Sequence, residues 1–102
     1  MNKNIKKPRQ LEVYEAITTV KTLDECIKLF DDLLSVAELR AMEQRYEVAK
    51  MLEEGMVYSA ILEKTGASSA TISRVNRSLQ NEGEGYRTVF ARVKELKEGG
   101  GE

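Results

Sequence analysis

The chain has no histidine, no tryptophan and a single cysteine, Cys26, among its 102 residues. One thiol cannot form an intrachain disulfide. Without histidine, zinc sites combining His with Cys, Ser-His-Asp triads and Cys-His dyads are excluded. No apolar run approaches the ~20 residues of a membrane span, so no membrane association is expected. Residues 1–10 are basic but lack the apolar stretch of a signal peptide, and the chain is expected in the cytoplasm. The glycines in Asn81-Glu82-Gly83-Glu84-Gly85 have neither the spacing of a phosphate-cradling loop nor the Lys-Ser or Lys-Thr that follows one. The adjacent carboxylates Asp31-Asp32 and Glu53-Glu54 point about 100° apart on a helix and read as solvated faces. Nothing points to a cofactor, a metal or catalysis, and the chain reads as a non-enzyme.

The formal charge of −1 conceals an uneven distribution. Residues 1–10 carry +4 through Lys3, Lys6, Lys7 and Arg9, residues 11–58 carry −6, residues 59–79 carry +2 and residues 80–102 carry −1. Two basic regions on an acidic scaffold suit a protein that meets a polyanion at one face, although charges also simply solvate a small surface.

Apolar spacing is helical from about residue 10 onward. Leu11, Tyr14, Ile17 and Val20 share one face. Thr22-Leu23-Asp24-Glu25 and Ser35-Val36-Ala37-Glu38 both have the form of a capping box, a hydroxyl followed three residues later by a carboxylate. The stripe Ile27, Phe30, Leu33 and Leu34 follows the first. Leu39, Met42, Tyr46, Ala49 and Leu52 follow the second, up to a stop at Gly55. Cys26, beside Ile27 and Phe30, reads as a packing thiol. Helices at about 58–65 and 69–80 come next, and Tyr86, Val89, Phe90, Val93 and Leu96 mark a sixth. The reading is an all-α domain over residues 10–97, with a flexible basic arm at 1–9 and a flexible tail at 98–102. The wide stripes of 10–34 and 36–54 exceed what a 102-residue monomer can cover, which favours a homodimer.

Residues 58–77 read as a helix-turn-helix. Ile61 and Leu62 are expected to pack the first helix on the second, with Gly66 in the left-handed turn. Ser68 or Ser69 caps the second helix, and Ile72, Val75 and Leu79 form its buried stripe. Ala70, Thr71, Ser73, Arg74 and Arg77 occupy the opposite face, while Asn76 lies toward the buried side and reads as structural. Small residues and hydroxyls at the start of a helix let it enter a major groove, and arginines one and two turns later reach bases or phosphates. The expected DNA-contacting set is therefore Ser68, Ser69, Ala70, Thr71, Ser73, Arg74 and Arg77, with double-stranded DNA as partner.

Three segments in this order resemble the tryptophan-repressor-like proteins, and within them the YerC/YecD-type subgroup. They are Phe30-Asp31-Asp32-Leu33-Leu34-Ser35, Gln44-Arg45-Tyr46-Glu47-Val48-Ala49-Lys50-Met51-Leu52, and Thr65-Gly66-Ala67-Ser68-Ser69-Ala70-Thr71-Ile72-Ser73-Arg74-Val75. The resemblance covers about residues 11–93. It implies an intertwined homodimer of six-helix chains in which the fourth and fifth helices read DNA, the arrangement for which tryptophan repressor is itself a reference example. It also implies a possible effector pocket. Arg45 and Arg74 match the arginines that hold the amino acid's carboxylate and stack on its indole, and Ser35 and Ser78 match further polar positions. Val75, however, stands where the repressor has a glycine against the indole, so tryptophan is not the expected effector, and another effector stays open. Arg45 is placed to pair with Glu43 or Glu47 instead, and Arg74 to contact DNA. Ser59 and Leu62 replace basic side chains of the repressor's reading unit, so a different operator is expected.

The leading reading is a dimeric, sequence-specific transcriptional regulator, a repressor by occupancy. One alternative is the same helix-turn-helix used as a protein-interaction module with little DNA affinity. Another is the promoter-reading end of a sigma-type factor, which the two long amphipathic helices ahead of the motif fit less well.

Overall fold

A computed structural model describes residues 8–99, in which six helices and no strand are found. They are α1 (Leu11–Ile17), α2 (Leu23–Leu33), α3 (Val36–Glu53), α4 (Tyr58–Thr65), α5 (Ser69–Asn81) and α6 (Glu84–Gly99). Lys3, Lys6 and Lys7 of the expected arm and residues 100–102 of the expected tail lie outside the described residues. Glu98 and Gly99, assigned by sequence to that tail, belong to α6. No helix among the described residues is long and apolar enough to cross a membrane. The chain forms two compact units, Met1–Met42 and Glu43–Glu102.

In the first unit, local hydrogen bonds set the helix ends. α1 stops at Ile17 because the Thr18 and Thr19 hydroxyls donate back to the carbonyls of Glu15 and Ala16, both at 2.7 Å. Such bonds offer the backbone an alternative to continuing the helix, which leaves Val20 beyond it. At α2 the Glu25 N–H donates to Thr22 Oγ1 at 3.1 Å, while the Glu25 carboxylate accepts from the Lys21 N–H at 3.0 Å. At α3 the box is reciprocal: the Glu38 N–H donates to Ser35 Oγ at 3.2 Å and the Ser35 N–H to Glu38 Oε1 at 2.8 Å. The Ser35 backbone and side chain together hold the Glu38 carboxyl below its ordinary pKa. Before α1, the Arg9 guanidinium donates to the Tyr14 hydroxyl at 3.1 Å. No described side chain of this unit is buried: Leu23 and Ile27 are 77% and 51% exposed, and Cys26 is half-buried.

The second unit has the core. Val48 and Ala49 of α3, Ile61 of α4, Ala67 of the turn and Ile72 and Val75 of α5 form one buried cluster, with Leu79 also buried. Tyr86 and Phe90 of α6 pack against it, stacked on each other, and Phe90 meets Tyr46 edge-on at 5.4 Å between ring centroids. Val48, outside the α3 stripe read from the sequence, is fully buried, whereas Met42 and Tyr46 remain exposed.

Two glycines close the helices that frame the site. Gly66 ends α4 at φ +74°, and a methyl group there would meet nothing within 4 Å. Gly83, at φ +59°, connects α5 to α6, and a methyl group there would fall on the Leu79 carbonyl oxygen and lie 2.6 Å from Arg87 Nη1. Gly66→Ala therefore carries only the left-handed strain of about 1–2 kcal/mol. Gly83→Ala adds a collision with backbone and should cost at least about 3 kcal/mol, a fall of roughly 12 °C or more in melting temperature. Thermal melts of both variants check this, and equal shifts would contradict the close packing at Gly83.

Candidate nucleic-acid interface

The helix-turn-helix is built from α4, a turn of three residues and α5. Two polar side chains pin its turn. Thr65 Oγ1 donates to the Ile61 carbonyl at 2.8 Å and accepts the Ala67 N–H at 3.1 Å, and Gln44 Nε2 donates to the Thr65 carbonyl at 3.3 Å. The Gly66 N–H closes α4 onto the Leu62 carbonyl at 2.8 Å. With these orphan groups satisfied, the turn holds α5 at a defined departure from α4. Sequence reading missed Gln44 and Thr65. A hydroxyl directly before a capping glycine was the available signal for Thr65; Gln44 had none, because its partner lies 21 residues away.

Ser68 is the N-cap of α5. Its hydroxyl oxygen accepts the Thr71 N–H at 3.1 Å and its hydroxyl donates to Thr71 Oγ1, also at 3.1 Å. Of the two candidate caps, Ser68 takes the role, leaving Ser69 as the first helical residue. Ile72, Val75 and Leu79 anchor the helix in the core. Around the rest of it, Ser69, Ala70, Ser73, Arg74 and Arg77 are exposed, Thr71 and Asn76 half-buried. Asn76 Oδ1 accepts from Gln80 Nε2 at 3.5 Å. No acidic residue occurs anywhere in α5. The positive end of the helix dipole thus coincides with an exposed polar turn, followed by two guanidinium groups, which is an electrostatic match to a phosphodiester chain.

α4 is anchored by the fully buried Ile61. Leu62, expected to pack beside it, is 44% exposed, and Ser59 is exposed too. Both therefore stand on the outer surface of the motif.

The residues matched to an effector pocket come from both units. The Ser35 hydroxyl caps α3 and belongs to the first unit. Arg45 is exposed on α3; its charge lowers the pKa of Tyr86, but desolvation outweighs it and leaves that phenol raised. Arg74 and the half-buried Ser78 lie one turn apart on α5. Val75, between them, is 5% exposed and points into the core cluster.

A separate groove of about 520 Å³ opens along α3 and α6 within the second unit. Tyr46, Phe90 and Val93 give it apolar walls, and the exposed Lys50, Arg87, Lys94 and Lys97 line it together with Glu53 and Glu54.

Residues 9–94 match the family described as Trp repressor protein. The chain belongs to the Trp repressor family. It is 45% identical over 86 residues to YerC, an uncharacterized protein of Bacillus subtilis strain 168, covering 84% of this chain and 83% of that protein. Two crystal structures share its fold at a TM-score of 0.78. A candidate Trp repressor from Staphylococcus aureus is 38% identical, covering 85% of this chain and 96% of the other. A TrpR-like protein from Eubacterium eligens ATCC 27750 is 49% identical, covering 81% and 86%. The all-α, six-helix, Trp-repressor-like architecture expected from the sequence is the one observed. As a member of this family, the chain is a helix-turn-helix protein of the DNA-binding regulator type.

Proposed function

We propose that the protein is a sequence-specific DNA-binding regulator that acts as a homodimer and represses by occupying its operator. One observation carries this reading: α5 buries Ile72, Val75 and Leu79 and leaves an acid-free face of Ser69, Ala70, Ser73, Arg74 and Arg77 in solvent. Two such helices, about one helical turn of DNA apart, would enter successive major grooves of a near-palindrome.

The dimer accounts for apolar surface that one chain leaves open. Helices α1 and α2 bury no side chain, and a second copy would cover their stripes. The α3–α6 groove is a complementary receptor for that segment of the partner. Its lining joins apolar Tyr46, Phe90 and Val93 to four cationic side chains, Lys50, Arg87, Lys94 and Lys97, against the two acids Glu53 and Glu54, while residues 11–42 hold seven acids against three bases.

We do not assign tryptophan as effector. The resemblance sets Val75 where the repressor has a glycine against the indole, and a side chain there takes room that a flat ring would need.

Selection from a random duplex library, with and without added tryptophan, tests the reading. The expected result is a two-fold symmetric site with half-sites about 10 base pairs apart, enriched equally in both arms. Enrichment only with tryptophan would restore the amino acid as effector. Failure to enrich in either arm would favour the second reading, a protein-interaction module. The exposed Val57, the N-cap of α4, and Tyr58 and Leu62 on that helix are the surface that speaks for it. In that case residual DNA binding would show a flat salt dependence, whereas phosphate neutralisation gives a steep one.

A further inference from the structure

We propose that Arg87, which lies outside the reading face, is a positioning residue that fixes the C-terminal end of the reading helix. This inference rests on the DNA-binding role of α5. At that end of the helix, the Leu79 carbonyl is one of the last four acceptors, which a helix cannot satisfy from within. Arg87, from the first turn of α6, supplies the missing donor: its Nη2 donates to Leu79 O at 3.0 Å. The same guanidinium reaches the end of α3, with Nε 3.7 Å from Glu53 Oε1. One planar group thus ties together the termini of three helices, α3, α5 and α6.

The linker is shaped to admit it. Gly83 is buried and takes a left-handed conformation, and a side chain there would occupy the volume that the guanidinium fills. The Arg87 N–H also donates to the Gly83 carbonyl at 2.9 Å, setting the first turn of α6 against the linker. α5 is held at its start by the Ser68 cap and along its length by Ile72, Val75 and Leu79. Its far end, one turn beyond Arg77, is held through Arg87. A site made of side chains on one helix keeps its geometry only while that helix is clamped at both ends.

A charge-only role and a clamp differ in what lysine can restore. Lysine donates to Leu79 O as a point charge but cannot fork to Glu53 at the same time.

The test compares Arg87→Ala, Arg87→Lys and the exposed control Arg92→Ala for binding to the selected operator and to unrelated duplex. Arg87→Ala should lower the ratio of specific to nonspecific affinity about tenfold, the size of one mismatched base pair, with an unchanged salt slope. Arg87→Lys should recover part of that ratio, and Arg92→Ala should change nothing. A salt slope reduced by about 0.9 would make Arg87 a direct phosphate contact and overturn the proposal. An unchanged ratio would also overturn it, as would a variant that sediments as a smaller species at the assay concentration.

Amide hydrogen exchange separates this inference from the DNA reading itself. Even if no duplex is bound by the parent, Arg87→Ala should speed exchange at the Leu79–Glu82 end of α5 and Arg92→Ala should not. Equal exchange in both variants would remove the clamp.

Discussion

Replacing Arg74 and Arg77 together by alanine should lower affinity for the selected operator about 100-fold or more and leave the melting temperature nearly unchanged. Both guanidiniums are exposed on α5, and its core contacts come from Ile72, Val75 and Leu79. Surface substitutions of this kind usually stay within about 0.5 kcal/mol of the parent, a few degrees at most. A dimer would present four guanidiniums to one operator. Losing four contacts at even about 0.7 kcal/mol each already gives a 100-fold effect, since 1.4 kcal/mol is a factor of ten. The single variants divide the roles. An arginine that reads a base relaxes specificity at one position of the site, whereas one on phosphate weakens every sequence alike and lowers the salt slope by about 0.9. Operator binding and salt titration of the two single variants and the double variant make the measurement. Parent-like binding by the double variant would put the reading face elsewhere.

The elements that form this face were legible because their signals are local. Gly66 and Ser68 bracket a three-residue turn, so α4 ends and α5 starts where the glycine and hydroxyl pattern puts them. The α5 stripe was equally readable, because Ile72, Val75 and Leu79 recur at helical spacing with small or polar residues between them. α1 ended earlier than its apolar spacing suggests, since Thr18 and Thr19 turn their hydroxyls onto the last carbonyls. The gap left between the helix at about 69–80 and the stripe that begins at Tyr86 shrinks to Glu82 and Gly83, because Asn81 still belongs to α5 and Glu84 and Gly85 already belong to α6. Nor did the sequence distinguish Leu62 from Ile61: both are apolar, and only the packing of α4 shows that one is buried and the other faces out. Arg87 was illegible for a deeper reason. Its partners are a backbone carbonyl eight residues back and a carboxylate on another helix, and neither leaves a trace in residue type.

Ile27→Asp should dissociate the proposed homodimer and abolish operator binding, a loss of at least about 1,000-fold, although Ile27 is 51% exposed in the single chain. Were the protein a monomer, this substitution would sit on a solvated surface of α2 and shift stability by about 0.5 kcal/mol or less. If a second copy covers the α2 stripe, the same change removes a buried side chain worth about 1.5–3 kcal/mol and leaves an unpaired charge in its place. Two-fold symmetry applies that cost twice. The two cases therefore differ by many-fold in any assay of assembly. Sedimentation should show the parent at twice the chain mass and the variant at one. The parent's melting temperature should also rise with protein concentration, as it does when association stabilises the fold. Ile72→Ala separates loss of assembly from loss of core. Ile72 is fully buried in the second unit, and its truncation should cost about 2–5 kcal/mol whether or not chains associate. A core defect therefore lowers the melting temperature at every concentration, while the α2 variant should abolish the concentration dependence itself. An Ile27→Asp protein that remains dimeric and binds its operator would mean that the α2 stripe is not what joins the chains.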